Sequence, residues 1–331
     1  MWSDMKNYPS VTIEMLSYND EKIITDCFKS IRVQDYPAKV QILLVDGGST
    51  DKTVQIAKKY KAKVISRPDL KNNPAKRGEI WTKFVETDIA IVFSADNRFQ
   101  EKTCLRQMME PFFDPEISAV ETFRYGFRNN NSLLTKYFAL IGGTDPVAVA
   151  LGKADRAPYD KDSWHSFGKV ESNKNYFKII FDKDPAKIPT LGANGFAVRN
   201  SLLKKIPNIN SLHTDVCVNM IRSGYNKFAF IIKGHVIHSI DSNVNFLRRK
   251  INWLSIYSPN KFKRKHLVYN PKTDFLTLII IIFSFATFIF PLIRAVKGYI
   301  KYRHPAWFLH PVMCFVFLVN YGLGVIKRLF F

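Results

Sequence analysis

The stretch Val40 to Thr53, V-Q-I-L-L-V-D-G-G-S-T-D-K-T, constrains this 331-residue chain more than any other. A short apolar run, Ile42 to Val45, ends in the carboxylate of Asp46 and breaks at once into Gly47 and Gly48. Ser49, Thr50 and Asp51 then offer capping side chains to a polar helical stretch. Strand, acid, flexible turn and capped helix describe the carboxyl edge of a parallel sheet, where open α/β folds place nucleotides. The arrangement recurs where Ile89-Ala-Ile-Val-Phe runs into Ser94-Ala95-Asp96-Asn97. Two buried strands delivering acids to one edge predict a base or ribose contact at the first and a metal–diphosphate contact at the second.

The same alternation organises the first part of the chain. Strand-like runs at 10–17, 40–45, 63–66 and 89–94 are separated by helical segments at 20–33, 51–61, 76–86 and 101–112. This order predicts a parallel sheet with right-handed crossovers. A further strand is expected at 117–123 and a helix at 133–141. Residues 127–187 read as a long insertion, polar from Lys153 to Asn175, where substrate selectivity could reside.

With the opening Val11-Thr-Ile-Glu-Met-Leu-Ser-Tyr18-Asn19-Asp20, these segments resemble the family 2 glycosyltransferases over residues 10–240. The resemblance implies a GT-A fold, a nucleotide-sugar donor and a divalent cation. Leu191-Gly192-Ala193-Asn194-Gly195-Phe196 resembles the family's glycine-rich acceptor-side loop, and Trp164, in the insertion that precedes it, is a further expected acceptor-side residue. His213-Thr214-Asp215 resembles the position of the catalytic base, with Thr214 where the family carries an acid; its structural reading is a helix-capping acid. Ser94 stands in the first place of the family's Asp-x-Asp, which leaves Asp96 as the metal contact. Mg²⁺ and Mn²⁺ are usually held by one or two carboxylates plus the substrate phosphates. His238 resembles the C-terminal histidine that completes metal binding, and His235 competes for that role. Tyr18, Asn19 and Asp46 are expected to hold base and ribose, favouring UDP or GDP donors, although Gly47 replaces a second acid. Lys76 and Arg77 are expected near the diphosphate. Arg248-Arg-Lys-Ile-Asn-Trp253 stands where processive synthases carry Gln-x-x-Arg-Trp, so the reading is transfer of a single sugar.

Charge and hydropathy organise the remainder. The net charge is +21, and residues 260–331 hold eleven Lys or Arg against Asp274 alone. These charges flank two uncharged runs, Phe275 to Ile293 and Ala306 to Ile326. A hydrocarbon core of ~30 Å needs about 20 helical residues, so two membrane-spanning helices are expected at 275–293 and 306–326, and membrane lipids rather than nucleic acid as the partner of the basic residues. Residues 243–257 have the spacing of an amphipathic helix, either in the headgroup layer or packed on the domain, followed by the basic cluster Lys261 to Lys265. The expected organisation is therefore a catalytic domain at 1–242, an interfacial helix and basic linker at 243–273, and a hairpin at 274–331. Four dispersed cysteines without Cys-x-x-Cys spacing fit a reducing compartment. Together these features predict a multi-pass, membrane-anchored inverting glycosyltransferase on the cytoplasmic face, acting on a polyprenyl-diphosphate-linked glycan. The alternatives are a polyprenyl-phosphate sugar synthase and a non-catalytic nucleotide-sugar-binding membrane protein.

Overall fold

The computed structural model describes residues 7–206, 213–240 and 274–330. In chain order its elements are β1 (Val11–Ser17), α1 (Ile24–Arg32), β2 (Val40–Asp46), α2 (Thr53–Lys59), β3 (Lys63–Ser66), α3 (Pro74–Ile80), β4 (Ile89–Ser94), β5 (Asn97–Phe99), α4 (Cys104–Met109) and β6 (Ala119–Thr122). There follow α5 (Leu133–Ile141), α6 (Pro146–Ala150), β7 (Lys169–Ser172), β8 (Tyr176–Ile180), β9 (Phe196–Arg199), α7 (Asn200–Leu203), α8 (His213–Arg222), β10 (Lys227–Ile231) and β11 (Val236–His238). The last helices are α9 (Phe275–Thr287), α10 (Ile289–Lys301) and α11 (His310–Phe330). The chain divides into two compact units: Met1–Phe123, Gly168–Lys183 and Leu191–Ile237 form the first, and Arg124–Phe167, Asp184–Thr190 and His238–Phe331 the second.

The first unit is built on a nine-stranded sheet in the order β3-β2-β1-β4-β9-β6-β10-β8-β7. Strands β3, β2, β1 and β4 are parallel, and only β9 and β8 run against the others. The register pairs Ser17 with Asp46 and Leu16 with Ser94, so the ends of β1, β2 and β4 are level. Burial on both faces explains why Ile42 to Val45 and Ile89 to Phe93 are continuously apolar. On one face α1 buries Ile24, Cys27, Phe28 and Ile31, a helical i, i+3, i+4, i+7 stripe, in a cluster with Val11, Ile13 and Met15 of β1.

On the opposite face of β1 lies Glu14, 2% exposed, in register with Leu43 and Val92. Its Oε2 has no hydrogen-bond partner, and burial pushes its carboxyl up from 4.5 to about 8. The unfolded chain releases this proton near pH 4.5 while the folded chain keeps it, so Glu14 costs no ionisation energy at low pH. Stability therefore falls as pH rises from 4.5 toward 8. Glu14→Gln is expected to flatten that decline, its advantage growing to the order of 3 kcal/mol near pH 7.5. Urea unfolding at pH 5 and 7.5 measures it; equal variant-minus-parent differences at both values would show that Glu14 is solvated.

The second unit gathers α5 and the C-terminal helices. Tyr137, Phe138, Leu140 and Ile141 of α5 share a core with Trp307, Met313 and Phe317. Gly298 lies under the Trp307 indole, where a Cβ would come within 2.5 Å of the ring. Pro305–Ile326, 22 residues containing an 18-residue stretch of mean hydropathy 1.8, is long and apolar enough to cross a membrane. The run 275–293 is not the single helix expected. It breaks at Phe288, whose φ of +62° is left-handed, and α9 and α10 meet there with a bend of 79°. The expected insertion at 127–187 is also divided: Arg124–Phe167 clusters with the C-terminal helices, while Gly168–Lys183 supplies β7 and β8 to the sheet. The helix expected at 243–257 and the basic cluster lie outside the described residues.

Candidate active site

The level ends of β1, β2 and β4 place three loops of the first unit side by side. At the end of β1, Asn19 adopts a left-handed φ of +54°, which asparagine tolerates better than most residues. Its amide N–H donates to Ser49 Oγ (2.9 Å) and its Oδ1 accepts the Thr50 amide (2.9 Å), tying the β1 loop to the β2 loop. Asp20 accepts from Ser17 Oγ (2.7 Å) and the Tyr18 amide (3.2 Å). The Tyr18 ring is half-buried, with Lys71 Nζ 4.9 Å from its centroid.

At the end of β2, Asp46 is 1% exposed and accepts from the amides of Gly48 (2.9 Å) and Ser49 (3.0 Å) and from the Ser49 hydroxyl. The carboxylate expected at the base thus shapes its own turn. Arg77, buried at 6%, donates from Nη1 to the carbonyls of Leu70 (3.3 Å) and Lys71 (3.0 Å), while its Nε lacks a protein partner. A Cβ at Gly47 would collide with that Nη1, so any side chain there requires the guanidinium end to shift. Burial lowers the Arg77 guanidinium below its usual range, and the charges of Asp46 and Asp20 oppose that shift. Lys76 is exposed on the first turn of α3, whose N-terminus is capped by Asn73 (3.0 Å to the Lys76 amide).

At the end of β4, Ser94 and Asp96 are half-buried and Asn97 is fully buried. Asn97 Oδ1 accepts the Ser94 amide (2.9 Å), and its Nδ2 donates to Asp96 Oδ1 (3.2 Å) and to Asn194 Oδ1 (3.2 Å). Asn97 thereby links the strand-end acid to the glycine-rich loop. That loop is pinned at both ends: the Gly195 amide donates to the Val92 carbonyl (2.8 Å) and the Gly192 amide to Glu121 Oε1 (3.0 Å). Gly195 has a φ of +98°, and a Cβ there would lie 2.8 Å from Val236, so only glycine fits. Ala193 lies between these anchors.

Burial raises the Asp20 carboxyl above its ordinary range, and the charges of Asp96 and Asp51 push the same way. Asp20 and Asp96 therefore feel one another across the edge, a site that a cation would relieve. Among the described residues no three His, Cys, Asp or Glu side chains converge as a metal cage. One or two carboxylates, with the remaining ligands from diphosphate and water, fit Mg²⁺ or Mn²⁺.

Asp215, in the first turn of α8, is 2% exposed, and Thr214 beside it is buried. His235 is engaged by Glu101, through Nδ1 (3.0 Å) and its backbone amide (2.8 Å), which gives it a structural role. His238 falls in the second unit, 6.0 Å from the Tyr125 ring. Trp164, also in the second unit, is buried and donates from Nε1 to the Phe167 carbonyl (3.1 Å). Asp20 and Glu121 are connecting residues to which the sequence reading gave no role. Asp20 could have been found from its place two residues after Tyr18; the bonds from Asn97 to Asn194 and from Gly192 to Glu121 are long-range and leave no local signal.

A mostly parallel α/β sheet with acids gathered at the carboxyl ends of β1, β2 and β4 is the GT-A arrangement of nucleotide-sugar-binding proteins. This chain belongs to glycosyl transferase family 2, whose sequence profile matches residues 12–207. Over 92 residues it is 32% identical to the poly(ribitol-phosphate) beta-N-acetylglucosaminyltransferase TarS of Staphylococcus aureus, a match covering 26% of this chain and 16% of that protein. It is 24% identical over 341 residues, 96% of this chain and 97% of the relative, to the dolichyl N-acetyl-alpha-D-glucosaminyl phosphate 3-beta-D-2,3-diacetamido-2,3-dideoxy-beta-D-glucuronosyltransferase of Methanococcus voltae. Among solved structures, the mannosyltransferase of Pyrobaculum calidifontis in complex with GDP-Man and Mn²⁺ superposes with a TM-score of 0.52 at 13% identity, covering 98% of this chain and 88% of that one.

Proposed function

We propose that this chain is an inverting glycosyltransferase that moves one sugar from a UDP- or GDP-linked donor to a membrane-held, polyprenyl-linked glycan. The observation that carries this reading is the connected edge Tyr18–Asp20–Asp46–Arg77–Asp96, which joins an aromatic face, one buried and two half-buried acids, and a buried cation. The Tyr18 face stacks on the base, and the Arg77 guanidinium lends its positive charge to the diphosphate. Asp96 holds the divalent ion, which when bound stabilises the charge on the departing diphosphate. As the acceptor oxygen bonds to the anomeric carbon, the bond to the diphosphate breaks on the opposite side and the leaving group takes its electron pair. Asp215 receives the hydroxyl proton. His238 is a further candidate ligand, and Trp164 and the Gly192–Gly195 loop are candidate acceptor contacts.

The lipid-linked acceptor is supported by the end-to-end relative from Methanococcus voltae and by the apolar C-terminal helices. We place the enzyme in the cell membrane with its catalytic unit on the cytoplasmic face. Purified protein in detergent, offered a panel of nucleotide sugars with a polyprenyl-diphosphate glycan, should release nucleoside diphosphate and label the lipid. Absence of both with every donor would leave only binding.

Gly47→Ala gives a second test of the donor site. The added methyl displaces the Arg77 guanidinium, and donor affinity is expected to fall about tenfold, or 1.4 kcal/mol. Titration calorimetry with UDP and GDP measures it. Unchanged affinity for the preferred nucleotide would remove Arg77 from the donor site.

A further inference from the structure

The broken helix pair carries an inference of its own, resting on the reading that the C-terminal helices meet a membrane. Both members are 13 residues long, and their outward faces are apolar: Leu276, Ile280 and Phe283 on α9 and Phe290, Leu292 and Ile300 on α10 are each at least half exposed. The bend itself is apolar, with Thr287-Phe288-Ile289-Phe290 at its tip.

The outer ends are polar and are tied to one polar segment. Asp274, before α9, pairs with Lys153 (2.8 Å). Lys301, the last residue of α10, pairs with Asp162, while Arg294, near the middle of the helix, lies 3.9 Å from Asp160. Lys153, Asp160 and Asp162 all belong to the stretch 124–167, so both outer ends are held on the same side. We propose that α9 and α10 form a re-entrant elbow that inserts Phe288 into one leaflet of a phospholipid bilayer and returns to the face it entered.

Dimensions and charge agree with that placement. A 13-residue helix is about 20 Å long, too short for a hydrocarbon core of ~30 Å. With a bend of 79°, two legs of equal slope carry the tip about 12–13 Å below their outer ends, which is close to one leaflet. At that slope the exposed Lys297 and Arg303 remain at headgroup level, where anionic phosphates meet them. A membrane-crossing helix would instead carry the ion-paired ends to opposite faces and break the pairs.

Single-cysteine labelling of the full chain tests the elbow, because all four native cysteines are buried. Lys161→Cys, Phe288→Cys and Lys297→Cys are expressed separately in a bacterium. An impermeant maleimide is then applied to right-side-out and to inverted sealed vesicles. Positions 161 and 297 are expected to react from the same face, and position 288 from neither until detergent is added. Reaction of 297 from the face opposite 161, or of 288 in sealed vesicles from either face, overturns the elbow alone. Release of the whole chain from membranes by alkaline carbonate overturns the membrane reading and the elbow together.

Discussion

Asp96→Ala is expected to abolish sugar transfer while the protein stays folded. The side chain stands at a strand end, half-buried, and accepts a bond from Asn97, so its loss opens no cavity in the sheet. Its negative charge also helps raise the Asp20 carboxyl, and deleting it relieves that repulsion. Thermal stability is therefore expected to hold or rise as activity disappears. Removing a preorganised charge that acts on the developing negative charge of a leaving group typically costs about 10²–10³-fold in rate, and the diphosphate departs with more charge than a carbonyl oxyanion. Excess EDTA should reproduce the loss in the unaltered protein, and Mn²⁺ should reverse it. Full turnover in EDTA, or in the alanine variant, would exclude the metal-dependent reading.

Asp215→Asn separates two acceptors. A sugar hydroxyl is a poor nucleophile until its proton is removed in the transition state, whereas a lipid monophosphate is already ionised near pH 7, its second pKa being about 6. The substitution keeps the shape of a 2%-exposed side chain and removes its basicity. General-base catalysis contributes ~10²–10⁴-fold, so kcat on a hydroxyl acceptor is expected to fall within that range while donor binding is unchanged. A decline of less than tenfold, with fold and donor affinity intact, would move the assignment to a polyprenyl-phosphate sugar synthase.

The parts of the fold that sequence announced are those with a local cause. β2 and β4 are buried on both faces, so Ile42 to Val45 and Ile89 to Phe93 read as unbroken apolar runs, and α1 shows its stripe because one side meets the sheet. Strand β7 gave no signal, since all four of its residues are exposed and three are polar. The break at Phe288 was equally silent. Pro291 is the third residue of α10, where a missing N–H has no helical partner to lose, and a phenylalanine in the left-handed region has no sequence signature. At the site, strand-end acids were legible because their position follows from the strand. Which groups they bond was not: the two-residue reach of Asp46 to Gly48 is turn chemistry, but the bridge from Asn97 to Asn194 spans 97 positions.

The packing of Arg77 against Gly47 ties the two positions together. A side chain at 47 needs the guanidinium end to shift, and an acid placed there would meet that charge as a partner. Glycine instead leaves the guanidinium seated on the turn, its Nη1 donating to two backbone carbonyls. A change at either position is therefore expected to be felt at the other, which makes the pair a natural subject for a double-mutant cycle.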